Sequence, residues 1–256
     1  MNARPPRLRA DLLLVERGLA ESRTRAQALI LAGLVYEGER RIAKAGEVLP
    51  ADAPLAVQGR EHPWVSRGGL KLAHGLEWFG LSPEGRTCLD IGASTGGFVE
   101  VLLAHGARRV HAVDVGHGQL AWKLRTDPRV VVHERTNARF LSREVIAEPI
   151  EALTCDASFI GLETVLPAPL SLTTLGAWAI ALIKPQFEAG PAKISRGGVV
   201  RDPAVHREVC ERIGTWWGSQ EGWHVLGITP SPILGPAGNH EFLIAAKREA
   251  EPPASK

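Results

Sequence analysis

Short apolar runs alternate with helical patterns over most of the chain. From about residue 84 the runs read TCLDIG, RVHAVDVG, VVVHE, IEALTCDAS, WAIALIK, WHVLGI and EFLIAAK. Apolar strands that alternate with helices are typical of a mainly parallel sheet covered by helices on both faces. No helical pattern follows the last run, which favours one antiparallel strand there. The pattern therefore predicts an α/β domain built on these seven strands.

The N-terminal part of the chain follows a different pattern. An apolar helical stretch from Leu12 to Arg17 ends at Gly18, and Ser22 is suited to cap a second helix that ends at Gly33. Three short β-prone pieces follow, LVYEG, EVL and LAVQG. We therefore predict a small α+β domain at residues 1–60, a linker at 61–69, a larger domain at 70–248 and a loose tail at 249–256.

Composition is that of an ordinary soluble globular protein, with 45% hydrophobic and 23% charged residues. No apolar run approaches the ~20 residues of a membrane span, and no apolar signal core follows the basic N-terminus, so we predict a cytoplasmic protein. The three cysteines are few and widely spaced, which predicts neither a disulfide framework nor a metal site. Residues 1–75 hold 12 Lys and Arg against 8 Asp and Glu, a mild indication of a polyanionic partner.

Basic side chains cluster near the turns of the small domain. Two short helices and a small sheet with a basic rim are typical of compact RNA-binding modules, although an unrelated helical cap is the alternative. The segment LVERGLAESRTRAQALILAGLVYEGERRIAKAGEVL resembles the S-four domain, a small RNA-binding domain named for a ribosomal small-subunit protein. The predicted RNA contacts are Arg7, Arg17, Arg23, Arg25, Arg40, Arg41, Lys44 and, in the linker, Arg67.

A glycine-rich loop, DIGASTGGF, follows the first apolar strand of the larger domain. Its G-x-x-x-G-G spacing differs from the G-x-G-x-x-G dinucleotide fingerprint and from a Walker loop. Asp114, at the end of the next strand, can accept hydrogen bonds from both ribose hydroxyls of an adenosine, and Asp90 can hold a ligand amino group. Together these features match the S-adenosylmethionine loop of class I methyltransferases. The predicted cofactor-binding residues are Asp90, Gly92, Ser94, Gly96, Gly97, Phe98, Asp114, Asn137 and Asp156, with a simple local turn as the competing interpretation of Asn137.

Four charged residues stand at element boundaries near this loop. Lys71 begins the helix before the first strand, Asp156 ends the fourth strand, Lys184 ends the fifth, and Glu241 begins the last. Ligands bind beyond the carboxyl ends of parallel strands, and an antiparallel strand starts at that same edge. We therefore expect the last three to converge on one rim, although each alone could be a surface lysine or a helix cap.

These pieces together resemble the TlyA family, a group of hemolysin-named rRNA 2′-O-methyltransferases whose catalytic part is similar to FtsJ-type ribose methyltransferases. The matching motifs are WVSRGGLKL, LDIGASTGGF, VDVGHGQL, RTNAR, CDASFI, LIKPQFEAG, GGVVRD and GNHEFL. The resemblance implies a class I methyltransferase fold, S-adenosylmethionine as cofactor, no metal, and ribosomal RNA or ribosomal subunits as partners. It also implies methyl transfer to a cytidine ribose 2′-hydroxyl by a Lys–Asp–Lys–Glu tetrad at Lys71, Asp156, Lys184 and Glu241.

The role of Lys184 and two rival functions stay open. Lys184 is predicted to lie nearest the attacking oxygen, either as the base or as an electrostatic clamp. The rivals are a base-directed RNA methyltransferase and a non-catalytic RNA-binding protein. The sequence DASF replaces the Pro-Pro-aromatic loop of amine methylases, and Cys155 is predicted to be an inert core thiol. The absence of a membrane span, a cationic amphipathic helix and a secretion signal argues against direct hemolytic activity.

Overall fold

The computed structural model describes residues 6–57, 62–190, 193–195, 197–235 and 238–249. The outermost parts of the predicted small domain, one end of the predicted linker and most of the predicted tail lie outside these residues. The described chain forms a small N-terminal unit and a larger domain around a single central sheet.

The N-terminal unit has two helices and five very short strands. Its elements are β1 (Arg7–Arg9), α1 (Ala10–Glu16), α2 (Arg23–Leu31), β2 (Val35–Glu37), β3 (Arg40–Arg41), β4 (Val48–Pro50) and β5 (Leu55–Val57). β1 pairs with β4, and β2 lies between β3 and β5, all antiparallel. Ser22 caps α2 by accepting a hydrogen bond from the Arg25 amide at 3.1 Å. One apolar cluster, which includes Leu13, Leu14, Ile30 and Val35, holds the helices and strands of the unit together.

The larger domain is built on the predicted seven-stranded sheet. Its strands are β6 (Thr87–Ile91), β7 (Arg109–Val113), β8 (Val130–His133), β9 (Ile150–Cys155), β10 (Thr173–Ile183), β11 (Trp223–Pro230) and β12 (Phe242–Arg248). The strand order is β11-β12-β10-β9-β6-β7-β8. β12 runs antiparallel to both of its neighbours, and the remaining neighbours are parallel. The α/β fold class with one antiparallel strand is therefore confirmed.

Helices cover both faces of this sheet. The helices of the domain are α3 (Gly68–Phe79), α4 (Gly97–Ala104), α5 (Trp122–Arg125), α6 (Leu162–Val165), α7 (Pro167–Ser171), α8 (Pro185–Glu188) and α9 (Pro203–Gly218), with a 3-10 turn at Ala138–Phe140. One apolar cluster joins α3, α4 and α5 to the sheet, and a second joins α6, α7 and α9 to its opposite face. Among the described residues, no helix combines the length and apolar character that a membrane crossing requires.

Alternation along the strands decides which polar groups face α3. Successive side chains of a strand point to opposite faces of the sheet. Ile180 and Leu182 of β10 belong to the α3 cluster, whereas Ala181 and Ile183 belong to the opposite one. Lys184 follows in an extended conformation, with φ −115° and ψ 97°, so its side chain continues the α3 face.

Candidate active site

A cleft of about 840 Å³ opens where β6, β9 and β10 end. The glycine loop after β6 forms one wall, and the segments after β9 and β10 form another. The α1–α2 turn of the N-terminal unit, at Glu21 and Ser22, borders the same cleft. Charged and polar side chains in its lining include Lys71, Asp156, Ser158, Lys184, Gln186 and Glu241.

Strand ends and one helix bring the four predicted charged residues together. Asp156 directly follows β9, and Glu241 directly precedes β12. Pro185 follows Lys184 and begins α8, and a proline cannot donate the next ladder hydrogen bond, so β10 stops there. Lys71 lies near the start of α3 and extends toward the same rim, where both lysines are only 6% exposed.

The four charges form two close ion pairs, and a longer contact from Lys71 to Asp156 links them. The Lys71 ammonium lies 2.6 Å from Glu241 Oε2 and 3.8 Å from Asp156 Oδ2. The Lys184 ammonium lies 2.6 Å from Asp156 Oδ1. Two positive and two negative groups thus neutralise one another inside the protein, which is the arrangement that buried charges require.

Two polar residues of the cleft were missed by the sequence analysis. Ser158 Oγ accepts a hydrogen bond from Lys184 Nζ at 2.9 Å. The buried Gln186 amide donates to Glu241 Oε1 at 3.3 Å, so it holds that carboxylate from the side opposite Lys71. Both residues lie two positions beyond a tetrad member, and only that spacing within DASF and KPQF could have singled them out.

Backbone conformation explains the glycines of the predicted cofactor loop. Gly92 has φ +81°, and a Cβ there would lie 3.0 Å from the backbone of Ala157. Gly96 has φ +98° and precedes α4, which begins at Gly97. Residues that carry a side chain rarely adopt such positive φ values, so the loop needs glycine for its close approach to the segment after β9. Phe98 is 4% exposed, packs in the core and also lines the cleft.

Asp114 fixes the glycine loop to the end of β7. Its Oδ2 atom accepts a hydrogen bond from the Ser94 amide at 2.8 Å, and its Oδ1 atom accepts one from the Gly116 amide at 2.7 Å. A carboxylate has about four acceptor positions, so capacity for ligand hydroxyls is left over. Val115, the next residue, is 70% exposed and offers an apolar surface beside this carboxylate.

Asp90 is fully buried and only half satisfied. Its Oδ1 atom accepts a hydrogen bond from Thr154 at 2.7 Å, whereas its Oδ2 atom has no partner among the described residues. Burial raises the pKa of Asp90 to about 7, and the negative charges of Asp156 and Asp114 act in the same direction. An unpaired buried oxygen is costly, so this position fits a ligand that brings a positively charged donor, such as an amino group.

Asn137 is engaged locally. Its side chain caps the 3-10 turn by accepting a hydrogen bond from the Arg139 amide at 3.1 Å, and it is exposed outside the cleft lining. These contacts agree with the competing interpretation, a local turn.

The candidate RNA-contact residues fall into two groups. Five guanidinium groups already hold protein partners: Arg7 with Val48 O, Arg17 with Ala51 O and Ala53 O, Arg23 with Asp11, Arg40 with Glu37 and Glu47, and Arg67 with Leu234 O. Arg25, Arg41 and Lys44 are exposed. Arg17 is therefore best explained as a link between α1 and the loop after β4.

A buried carboxylate organises part of this basic surface. Asp11 accepts hydrogen bonds from Arg9, Arg23 and Gln27 at 2.9 to 3.0 Å. The bonded Arg9 guanidinium is the main cause that lowers the pKa of Asp11 well below its ordinary value. Arg9 and Arg23 are held there with roughly half of each side chain exposed, at 42% and 54%. Of these residues, only Arg23 was predicted from the sequence to contact RNA.

Aromatic residues stand at the rim of the cleft. Phe159 is 89% exposed, and its ring centroid lies 4.9 Å from that of Phe187. Phe159 has φ +65°, which is uncommon for a bulky residue and often marks a functional loop. Within the described ranges, no group of three or more His, Cys, Asp or Glu side chains is arranged to hold a metal ion.

Comparison with known proteins gives a consistent result. The family described as FtsJ-like methyltransferase matches residues 64–248. The 16S/23S rRNA (cytidine-2'-O)-methyltransferase TlyA of Mycobacterium tuberculosis is 47% identical over 247 residues, which cover 96% of this chain and 91% of that protein. A solved structure from Streptococcus thermophilus, described as a candidate hemolysin, is 40% identical with a TM-score of 0.74, over 96% of this chain and 90% of that one. An O-methyltransferase of Bacillus cereus, solved in complex with SAH, shares the fold at 17% identity and a TM-score of 0.50, over 73% of this chain and 84% of that one.

Proposed function

The chain belongs to the TlyA group of the FtsJ-like methyltransferase family, and we propose that it methylates the ribose 2′-hydroxyl of cytidine in ribosomal RNA. The observation that carries the proposal is the paired Lys–Asp and Lys–Glu arrangement, 2.6 Å within each pair, beside the glycine loop. A methyltransferase that acts on a hydroxyl needs such charges where the oxygen loses its proton.

Its cofactor is S-adenosylmethionine, which supplies an electrophilic methyl group when bound. The residues at and beside the glycine loop fit this molecule. The unpartnered Asp90 Oδ2 suits its amino group, and Asp114 has spare acceptor capacity for its ribose hydroxyls. Gly92 lines the cleft, and its missing Cβ lets the loop lie against the Ala157 backbone.

In this proposal Lys184 acts on the ribose oxygen and Asp156 orients it. Methyl transfer is an in-line displacement, so much of the rate comes from holding the oxygen in position. The nearby Lys184 ammonium stabilises the charge that develops on this oxygen, and the hydroxyl proton leaves through water or the Asp156 carboxylate. The Lys71–Glu241 pair balances the charge of the cleft and keeps Asp156 between two positive groups.

The acceptor is proposed to be a nucleotide displayed at the rim. The exposed Phe159 and the half-buried Phe187 form an aromatic pair beside Lys184, and such surfaces stack on unpaired bases. The N-terminal unit is proposed to bind ribosomal RNA, free or within a subunit, through its arginines and Lys44. Its α1–α2 turn borders the cleft, so RNA bound there would lie near the reacting groups. The protein would act in the cytoplasm, where ribosomes are made.

Labelled-methyl incorporation into unmodified ribosomal RNA, followed by nucleoside analysis, tests this function. We expect 2′-O-methylcytidine from the wild type, no product from Lys184→Ala, and unchanged SAH binding by that variant. Lys184→Arg should also fail, because a planar guanidinium has another shape and cannot take the place of the compact ammonium beside the oxygen. A base-methylated product, or wild-type turnover by Lys184→Ala, would contradict the proposal.

A further inference from the structure

Three oxygens from the segment after β9 surround the Lys184 ammonium. An ammonium group carries three N–H donors. One hydrogen bond goes to the Asp156 backbone oxygen at 3.1 Å and one to Ser158 Oγ at 2.9 Å. The Asp156 Oδ1 atom lies 2.6 Å away as an ion-pair partner, outside hydrogen-bond geometry. The lysine side chain is 7% exposed, so little of it is open to the cleft.

Ser158 differs from the other two partners of Lys184. A carbonyl and a carboxylate only accept hydrogen bonds, whereas a hydroxyl can accept one and donate another. Because Ser158 Oγ accepts from Lys184, its own hydrogen points away from that ammonium. Ser158 is an exposed residue that lines the cleft, so this hydrogen is available on the substrate side.

The backbone around Ser158 holds this hydroxyl in a defined place. The next residue, Phe159, has φ +65°, a conformation that costs energy for a residue with a bulky side chain. Ala157, the preceding residue, packs against Gly92 of the cofactor loop. The segment between the loop and Phe159 is thus fixed at both ends, and Ser158 is presented between the cofactor loop and Lys184.

We propose that Ser158 is a positioning residue for methyl transfer. Its oxygen holds the Lys184 ammonium in place, and its O–H group, polarised by that ammonium, donates a hydrogen bond to the acceptor hydroxyl. This inference rests on the proposed function. Without the Ser158 hydroxyl, the ammonium keeps only the two oxygens of Asp156 and is drawn toward that residue. This change acts on the chemical step and leaves binding of cofactor and RNA unaffected.

The test compares Ser158→Ala with Ser158→Thr, which keeps the hydroxyl at an exposed position that has room for a methyl group. Single-turnover methylation of ribosomal RNA gives the rate and the apparent RNA affinity, and calorimetry gives the Kd for SAH. For Ser158→Ala we expect a rate about 10- to 100-fold lower, the worth of one hydrogen bond to a charged group. Both affinities should be unchanged. Ser158→Thr should recover most of the rate.

Ser171→Ala is the matched control, because it removes a serine hydroxyl bonded to the Ala168 carbonyl at 2.7 Å and absent from the cleft lining. It should change neither the rate nor the two affinities. A wild-type rate in Ser158→Ala would overturn the proposal. So would an equal loss in the Ala and Thr variants with a lowered Tm, since that pattern indicates a purely structural role. Failure of the proposed function itself appears separately, as a wild type that leaves ribosomal RNA unmethylated.

Discussion

Cofactor affinity should depend on pH through Asp90. Burial raises the pKa of this carboxyl to about 7, and Asp156 and Asp114 reinforce the shift. The orphaned Oδ2 atom is where an amino group of the cofactor would be held, and that contact needs the ionised carboxylate. We therefore expect SAH, which carries this amino group, to bind more weakly as pH falls and to displace a proton when it binds.

The magnitude follows from the position of the pKa. With a pKa of about 7, Asp90 is about 90% protonated at pH 6 and about 10% protonated at pH 8. If only the ionised form binds, the Kd for SAH rises about tenfold between pH 8 and pH 6. Binding should release about 0.9 proton at the lower pH and about 0.1 at the higher one.

Calorimetry in buffers of different ionisation enthalpy measures both quantities. Asp90→Asn should bind weakly, with an affinity that no longer changes over this range. Thr154→Val removes the 2.7 Å hydrogen bond that lowers the pKa of Asp90, so its midpoint should move to higher pH. A wild-type Kd that stays constant between pH 6 and pH 8, without proton release, would refute this account of the site.

Three further predictions concern the rest of the molecule. Neutralising Arg23 and Arg25 together should weaken RNA binding and flatten its salt dependence while SAH affinity stays constant, and equal losses of both would indicate misfolding. Burial lowers the pKa values of His111 and His133, so their contribution to stability is complete above the ordinary value of 6.5 and is lost as pH falls below it. On acidification, the free energy of unfolding measured with urea should therefore fall less in His133→Gln than in the wild type. An equal decrease in both proteins would contradict this. In Gly97→Ala the new methyl carbon would lie 2.9 Å from a backbone nitrogen in the first turn of α3, which should cost about 1 to 3 kcal/mol in the same assay.

The strands of the large domain were predictable because most are buried on both faces and read as apolar runs. The strands that escaped prediction lack this signal. β3 consists of the exposed pair Arg40–Arg41, and β1 reads Arg-Leu-Arg. β10 begins at Thr173, five residues before the apolar run, where its pairing with β9 is irregular. These segments are extended because they pair with a neighbouring strand, and the local residue pattern does not predict that pairing.

The convergence of the site followed from topology, whereas its contacts did not. Strand ends placed Asp156, Lys184 and Glu241 on one edge before any side-chain position was known. Which lysine pairs with which acid depends on side-chain directions between residues up to 170 positions apart. The same limit applies to Arg17, whose partners are backbone carbonyls of another loop, and which the sequence presented as a free basic group.

The two lysines differ in how deeply their acid partners are buried, and this difference separates their roles. Glu241, the partner of Lys71, has a side chain that is 0% exposed, so its carboxylate is shielded from water. Separating such a pair leaves an uncompensated buried charge, which is strongly unfavourable. Asp156, the partner of Lys184, is 20% exposed toward the cleft and is also attracted by Lys71, 3.8 Å away. Its carboxylate can therefore shift toward Lys71 as an oxygen approaches Lys184. This asymmetry supports Lys184 as the lysine that meets the substrate. The Lys71–Glu241 pair stays in place, and Asp156 moves relative to it.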